Sequence, residues 1–189
     1  MVQCKEIVEQ SRAISGYRIF GVLQFVLGFF LMFFACYVAM VIHGPEVTGI
    51  PYYVGPLTLS IPLICMSFIA ALIYDRGQDL SKDQSLVSYI YVLMRVHFVI
   101  TALAIVICSG SIILTGIYGL SEKCSYSTKT VFNQGMAIFL VILQTLCGIS
   151  LVWGAYFFYK YFGYFVHKVA DDDLKFSHSN LNINLNSIR

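Results

Sequence analysis

The sequence predicts an all-α, polytopic membrane protein: a four-transmembrane-helix bundle with both termini cytoplasmic. Composition is the first observation behind this. Of 189 residues, 58% are apolar and only 12% are charged, against about half and about a quarter in soluble domains. The second is clustering, since the apolar residues gather into four long runs that contain no Asp, Glu, Lys or Arg in their interiors. The third is that Lys and Arg fall almost entirely on one side of those runs.

The N-terminal segment, residues 1–18, is polar and carries Lys5, Arg12 and Arg18. The first run, Ile19 to Ile42, exceeds the roughly 7–15 apolar residues of a secretory signal and follows a long polar lead, so it reads as a retained span. A Gly/Pro-rich outer loop, "HGPEVTGIPYYVG" (43–55), precedes the second run, Pro56 to Tyr74. Pro62 forfeits one backbone hydrogen bond there and is expected to kink the helix. The inner loop "DRGQDLSKDQSLVS" (75–88) is polar enough to continue as helix into the third run, Phe98 to Leu120. A brief outer loop, "SEKCSYSTKT" (121–130), leads into the fourth, Val131 to Tyr159. At about 1.5 Å per residue the runs measure about 30 Å to just over 40 Å, so the last must tilt or emerge from the bilayer. The transmembrane domain is therefore 19–159, and 160–189 is a cytoplasmic tail. Its end, "DDDLKFSHSNLNINLNSIR", is polar and Asn-rich and is expected to lack regular structure.

Orientation comes from the cations. Ten lie on the N-terminal segment, the inner loop with the start of the third span, and the tail; only Lys123 and Lys129 lie on the other side. The positive-inside rule then places both termini in the cytoplasm. The net charge of +2 is thus distributed as a membrane signature, and no nucleic-acid partner is indicated. Tyr52, Tyr53, Tyr74, Tyr89, Tyr91, Tyr156, Tyr159, Tyr161 and Tyr164 flank the spans, as an aromatic belt at headgroup depth requires.

Apolar faces gain nothing by meeting inside lipid, so helix association depends on close backbone approach and a few polar contacts. Residues suited to this recur along the spans: Gly21 and Gly28 in the first, Ser67 and Ala71 in the second, Ser111, Thr115 and Gly119 in the third, Ser150 and Gly154 in the fourth. Gln24 lies between its two glycines at i+3 and i−4, on the same helix face. An amide facing lipid is costly, so Gln24 and Gln144 are both expected at helix–helix contacts, though at different depths.

The pattern Gly-x-x-Gln-x-x-x-Gly at Gly21, Gln24 and Gly28 resembles the membrane-spanning four-domain subfamily A proteins, the B-lymphocyte-antigen family. "SFIAALIYDR" (67–76) is similar to that family's small-residue end to its second span, and the likeness covers about residues 17 to 165. The family's longer second outer loop, closed by two cysteines, has no counterpart here. MARVEL-type tetraspans share the topology and are the second resemblance. The first implies an oligomer-forming accessory protein of the plasma membrane that modulates receptor signalling or calcium influx.

Cys36, Cys65, Cys108 and Cys147 lie within spans and read as small apolar packers. Cys124 is the one cysteine in an outer loop and the candidate for an intermolecular disulfide. Cys4, beside Lys5, is a candidate palmitoylation site.

Charge-coupled transport places ionisable groups within the membrane; here the nearest are Arg95 and His97 at the inner mouth of the third span. No HExxH, GxSxG or P-loop motif is present, no cofactor motif appears, and His167 and His178 are isolated from other metal ligands. The sequence thus supports a non-enzymatic interaction protein that oligomerises or scaffolds other membrane proteins. The alternative is a subunit of an oligomeric cation channel, with Thr101, Ser109, Ser111 and Thr115 lining a shared pore.

Overall fold

The structure, a computed structural model, describes the backbone of residues 2–42, 51–78, 85–120 and 130–186, and side chains within 11–41, 51–78, 86–119 and 134–162. All of that backbone is helical except Pro51, Tyr52 and Tyr53. The helices are α1 (Val2–Ile42), α2 (Val54–Gln78), α3 (Ser85–Leu120) and α4 (Thr130–Asn186). Each holds a segment long and apolar enough to cross a bilayer: Ser11–Val41, Val54–Gln78, Leu86–Gly119 and Gln134–Phe162. The chain is an integral, multi-pass membrane protein. An even number of crossings returns both ends of the bundle to one side.

α1 packs on α2, α2 on α3 and α3 on α4, and α4 closes back onto α1. The buried positions explain this ring. Along α1 they fall at Ile14, Tyr17, Gly21, Gln24, Gly28, Leu31, Ala35 and Val38, alternately three and four residues apart. The same alternation runs through Ala137, Leu140, Gln144, Cys147, Leu151, Gly154 and Phe158 on α4. A 3.5-residue repeat keeps one seam facing its partners in a left-handed bundle. The outward face carries the larger apolar groups, among them Phe25, Phe29, Phe30 and Phe33. The stripe inside is smaller and more polar than the surface outside, the inversion expected when the solvent is hydrocarbon.

Arg18, Arg76, Arg95 and Lys160 all lie at one end of the bundle, which the charge rule assigns to the cytosol. Aromatic rings hold three of them. The Arg18 guanidinium sits 5.3 Å from the Tyr74 ring centroid and donates to Tyr74 Oη at 3.3 Å. Arg95 lies 5.1 Å from the Tyr91 ring and Lys160 5.5 Å from that of Tyr161. Such cation–π pairs let the charge stay wet while the stem lies along apolar surface.

Two features differ from the sequence expectation, the tail and the tyrosine pair, and two helix starts extend it. The N-terminal segment is part of the first helix, because nothing between Val2 and Ile19 except Gly16 interrupts it and elongation adds a hydrogen bond per residue once a helix is nucleated. The tail expected to lack structure is helical through Asn186, for the same reason: no Gly or Pro follows Gly163 to stop α4. α3 begins at Ser85, so the end of the inner loop continues as helix into the third span, as its sequence allowed. Tyr52 and Tyr53 are buried rather than belted, closing the outer end of the core.

Candidate functional site

The polar groups of the spans form two layers inside the bundle. The outer layer centres on Gln144 of α4. Its Nε2 donates to Ser111 Oγ at 2.6 Å and to Thr115 Oγ1 at 3.1 Å, using both amide protons. Ser111 and Thr115 stand one turn apart on α3, so a single amide reaches both. Thr115 Oγ1 in turn donates to the Tyr52 carbonyl at 3.3 Å, tying the start of α2 to α3. The Cys108 thiol donates to the Gln144 backbone carbonyl at 3.3 Å. This is a connected network joining α3, α4 and the turn that precedes α2.

Towards the inner end, Thr101 Oγ1 lies 3.2 Å from Met66 Sδ and 2.8 Å from the His97 carbonyl. The Tyr17 ring meets that of His97 edge-on at 5.5 Å and Phe157 at 6.0 Å. Gln24 is fully buried, and neither its Oε1 nor its Nε2 has a hydrogen-bond partner among the described residues. Tyr17 Oη, His97 Nε2 and Ser150 Oγ are buried and unpartnered among the described residues as well, and in the outer layer so is Gln144 Oε1. The outer layer is joined; the inner layer is open.

The nine residues singled out in the sequence for helix packing, Gly21, Gln24, Gly28, Ser111, Thr115, Gly119, Gln144, Ser150 and Gly154, are all buried in the bundle. A Cβ on Gly21 would stand 3.1 Å from Ala70 Cβ, and one on Gly28 would stand 3.0 Å from Leu63 Cβ. One on Gly119 would stand 2.5 Å from Ala137 Cβ. Ser111, Thr115 and Gln144 come together. Gln24 instead faces Gly154, ten residues along α4 from Gln144, which is about 15 Å of helix. The two amides do not meet.

This placement redirects two expectations. Gly21 and Gly28 are covered by the chain's own α2, so assembly with other molecules has to use another face. Of the four hydroxyls considered for a shared pore, Thr101, Ser111 and Thr115 face the chain's own core; only Ser109 is exposed, and it donates to the Ile105 carbonyl. Cys36, Cys65, Cys108 and Cys147 are free thiols. Cys124 lies outside the described residues; Cys4 lies in α1, with its side chain outside them.

Several contacts escape the sequence reading. Gly55 sits against α3, where a Cβ would be 2.6 Å from Ser111 Oγ and 3.1 Å from Ser111 Cα. Preceding a proline near a loop, it reads as a turn residue, yet it is one turn before Leu59 on the buried stripe. Gly16 packs against the Phe157 ring and Gly77 against Ile14. His97 and Tyr17 follow the same stripe, which the run boundary at Phe98 and Ile19 concealed.

On the outside, an open groove of about 550 Å³ lies between α3 and α4. Cys108, Ser109 and Ile112 form one wall, Thr145, Gly148 and Ile149 the other, and Trp153 and Tyr156 its inner end. Gly110 and Gly116 on α3 have open space where a Cβ would stand. Among the described residues no three His, Cys, Asp or Glu side chains gather as metal ligands.

No protein-family model matches the chain, and neither a curated protein nor a solved structure does.

Proposed function

We propose that this protein is a non-enzymatic membrane scaffold whose partners are the transmembrane helices of other membrane proteins, a second copy of the chain among them. The observation that carries this reading is the α3–α4 groove. Four seams rich in small residues are consumed in closing the bundle, whereas this groove opens to lipid, with Gly148 and Ser109 in its walls. Small residues allow backbones to approach, and close packing is the main force joining helices in lipid. The core offers a single copy no passage: Leu31, Leu59, Leu63, Leu140 and Leu151 fill it at 0% exposure. The non-enzymatic part of the reading rests on the absence of catalytic motifs from the sequence. Modulation of receptors or calcium influx, and residence in the plasma membrane, rest on the tetraspan resemblance.

A photo-crosslinking residue at Ile149, in the groove, tests this against one at Phe25, on the exposed face of α1. Protein adducts are expected at Ile149, absent at Phe25, and lost when Gly148→Trp fills the groove. Equal adducts at both positions, or lipid adducts alone, would remove the groove from consideration. Cation flux from the purified, reconstituted protein would favour the channel subunit instead.

A further inference from the structure

Buried glycines in this bundle have a consistent reason to be glycine, with one exception. At Gly21, Gly28, Gly55, Gly77 and Gly119 an added Cβ would meet a neighbour at 2.5 to 3.1 Å, so the side chain is excluded by a helix packed close by. Gly154 is equally buried, yet its nearest neighbours would be Gln24 Nε2 at 3.8 Å and Phe20 Cδ1 at 4.0 Å. Alanine would fit there without displacing anything. The space left beside Gly154 borders an amide that is 0% exposed and has neither its donor nor its acceptor group engaged.

An amide so placed has two protons and two lone-pair sites to satisfy. Leaving such a group unpaired in an apolar interior is strongly unfavourable. Gln144, seated at an equivalent stripe position on α4, has its Nε2 engaged by Ser111 and Thr115 across the seam, although its Oε1 is left unpartnered. Opposite Gln24 the sequence instead places a glycine. Other unpaired polar atoms of the inner half are Ser150 Oγ, one turn outward on α4, and His97 Nε2 and Tyr17 Oη towards the cytosolic end; Gln144 Oε1 is unpaired in the outer half.

We infer that the Gln24–Gly154 contact is an internal hydration site, in which water is held within the membrane by the Gln24 amide beside Gly154, with Tyr17 and His97 marking its approach from the cytosolic end. Buried water characteristically makes about three hydrogen bonds to polar groups that the protein leaves unsatisfied. Gln24 lies six residues beyond Arg18, about 9 Å deeper along α1. Leu31, Leu63 and Leu151, all at 0% exposure, close the core beyond it. The site is therefore a hydrated recess that ends inside the bundle and does not cross it. The α1–α4 seam is the sparsest of the ring's four contacts, and water at Gln24 gives it a polar bridge that direct side-chain pairing does not supply.

Water-edited solid-state NMR of the full chain in lipid bilayers, with 15N in Gln and His side chains, decides the matter. Transfer from mobile water is expected at the Gln24 and His97 side chains and is expected to be markedly weaker at Gln144, whose amide protons are taken by Ser111 and Thr115. Gly154→Ala, which fits sterically, is expected to abolish transfer to Gln24 while leaving that to His97 in place. A wild-type protein in which Gln24 is as dry as Gln144 would overturn the inference. So would undiminished transfer to Gln24 in the Gly154→Ala protein.

Discussion

Gly55→Ala concentrates the packing logic of the bundle in one methyl group. The new Cβ would stand 2.6 Å from Ser111 Oγ, 3.1 Å from Ser111 Cα and 3.2 Å from the Ser111 carbonyl oxygen, where ordinary contact begins at 3.4 Å. The hydroxyl can rotate away, but it is the acceptor of the 2.6 Å bond from Gln144 Nε2, so rotation breaks the outer network. The backbone atoms cannot rotate away. α2 and α3 have to part by a few tenths of an ångström along the seam. Overpacking of this kind costs about 1–3 kcal/mol, and the lost interhelical hydrogen bond about 0.6 kcal/mol. Together the loss is about 1.5–3.5 kcal/mol. Unfolding of the protein by SDS in mixed micelles, followed by the emission of its single tryptophan, Trp153, measures it as a lower SDS midpoint. Ser111→Ala supplies the internal check. It removes both the hydroxyl in the way and the bond that depends on it, so Gly55→Ala should cost less in that background, by about 1 kcal/mol. Gly116→Ala, with no described atom within 4 Å of the new methyl, should match wild type or gain up to about 1 kcal/mol from alanine's higher helix propensity. If Gly55→Ala unfolded at the wild-type midpoint, or cost the same with and without the Ser111 hydroxyl, the proposed seam between α2 and α3 would be wrong.

Two more substitutions follow from the same geometry. Gln144→Leu keeps the volume but strips two bonds from Ser111 and Thr115, and is expected to lower stability by about 1 kcal/mol, since each such bond averages about 0.6 in a membrane; no change in the SDS midpoint would show the network to be energetically idle. Gly119→Ala brings a methyl to 2.5 Å from Ala137 Cβ and 3.4 Å from the Tyr52 ring, an overpacking of about 1–3 kcal/mol, which should appear as a lower midpoint and as earlier proteolysis near Pro51.

The four crossings, their order and the cationic end of the bundle were all readable from the linear chain. Lipid imposes this: every backbone polar group within it must be satisfied internally, so a long uncharged run has little choice but to be a helix. The choice of Gly21, Gln24 and Gly28 as one face was equally readable, because helical periodicity is local. Which helix that face meets is not local. Gly21 finding Ala70, and Gln24 finding Gly154 rather than Gln144, depend on how four rods settle around a common axis. Helix ends were also concealed, since a helix such as α4 can outrun its apolar segment when no residue stops it. Composition, charge placement and the small-residue stripe thus belong to the sequence alone. The pairing of seams, the joined outer layer, the open inner one and the groove left on α3 and α4 were decided by tertiary packing, because in a solvent as apolar as the side chains only shape and a few hydrogen bonds distinguish one helix neighbour from another.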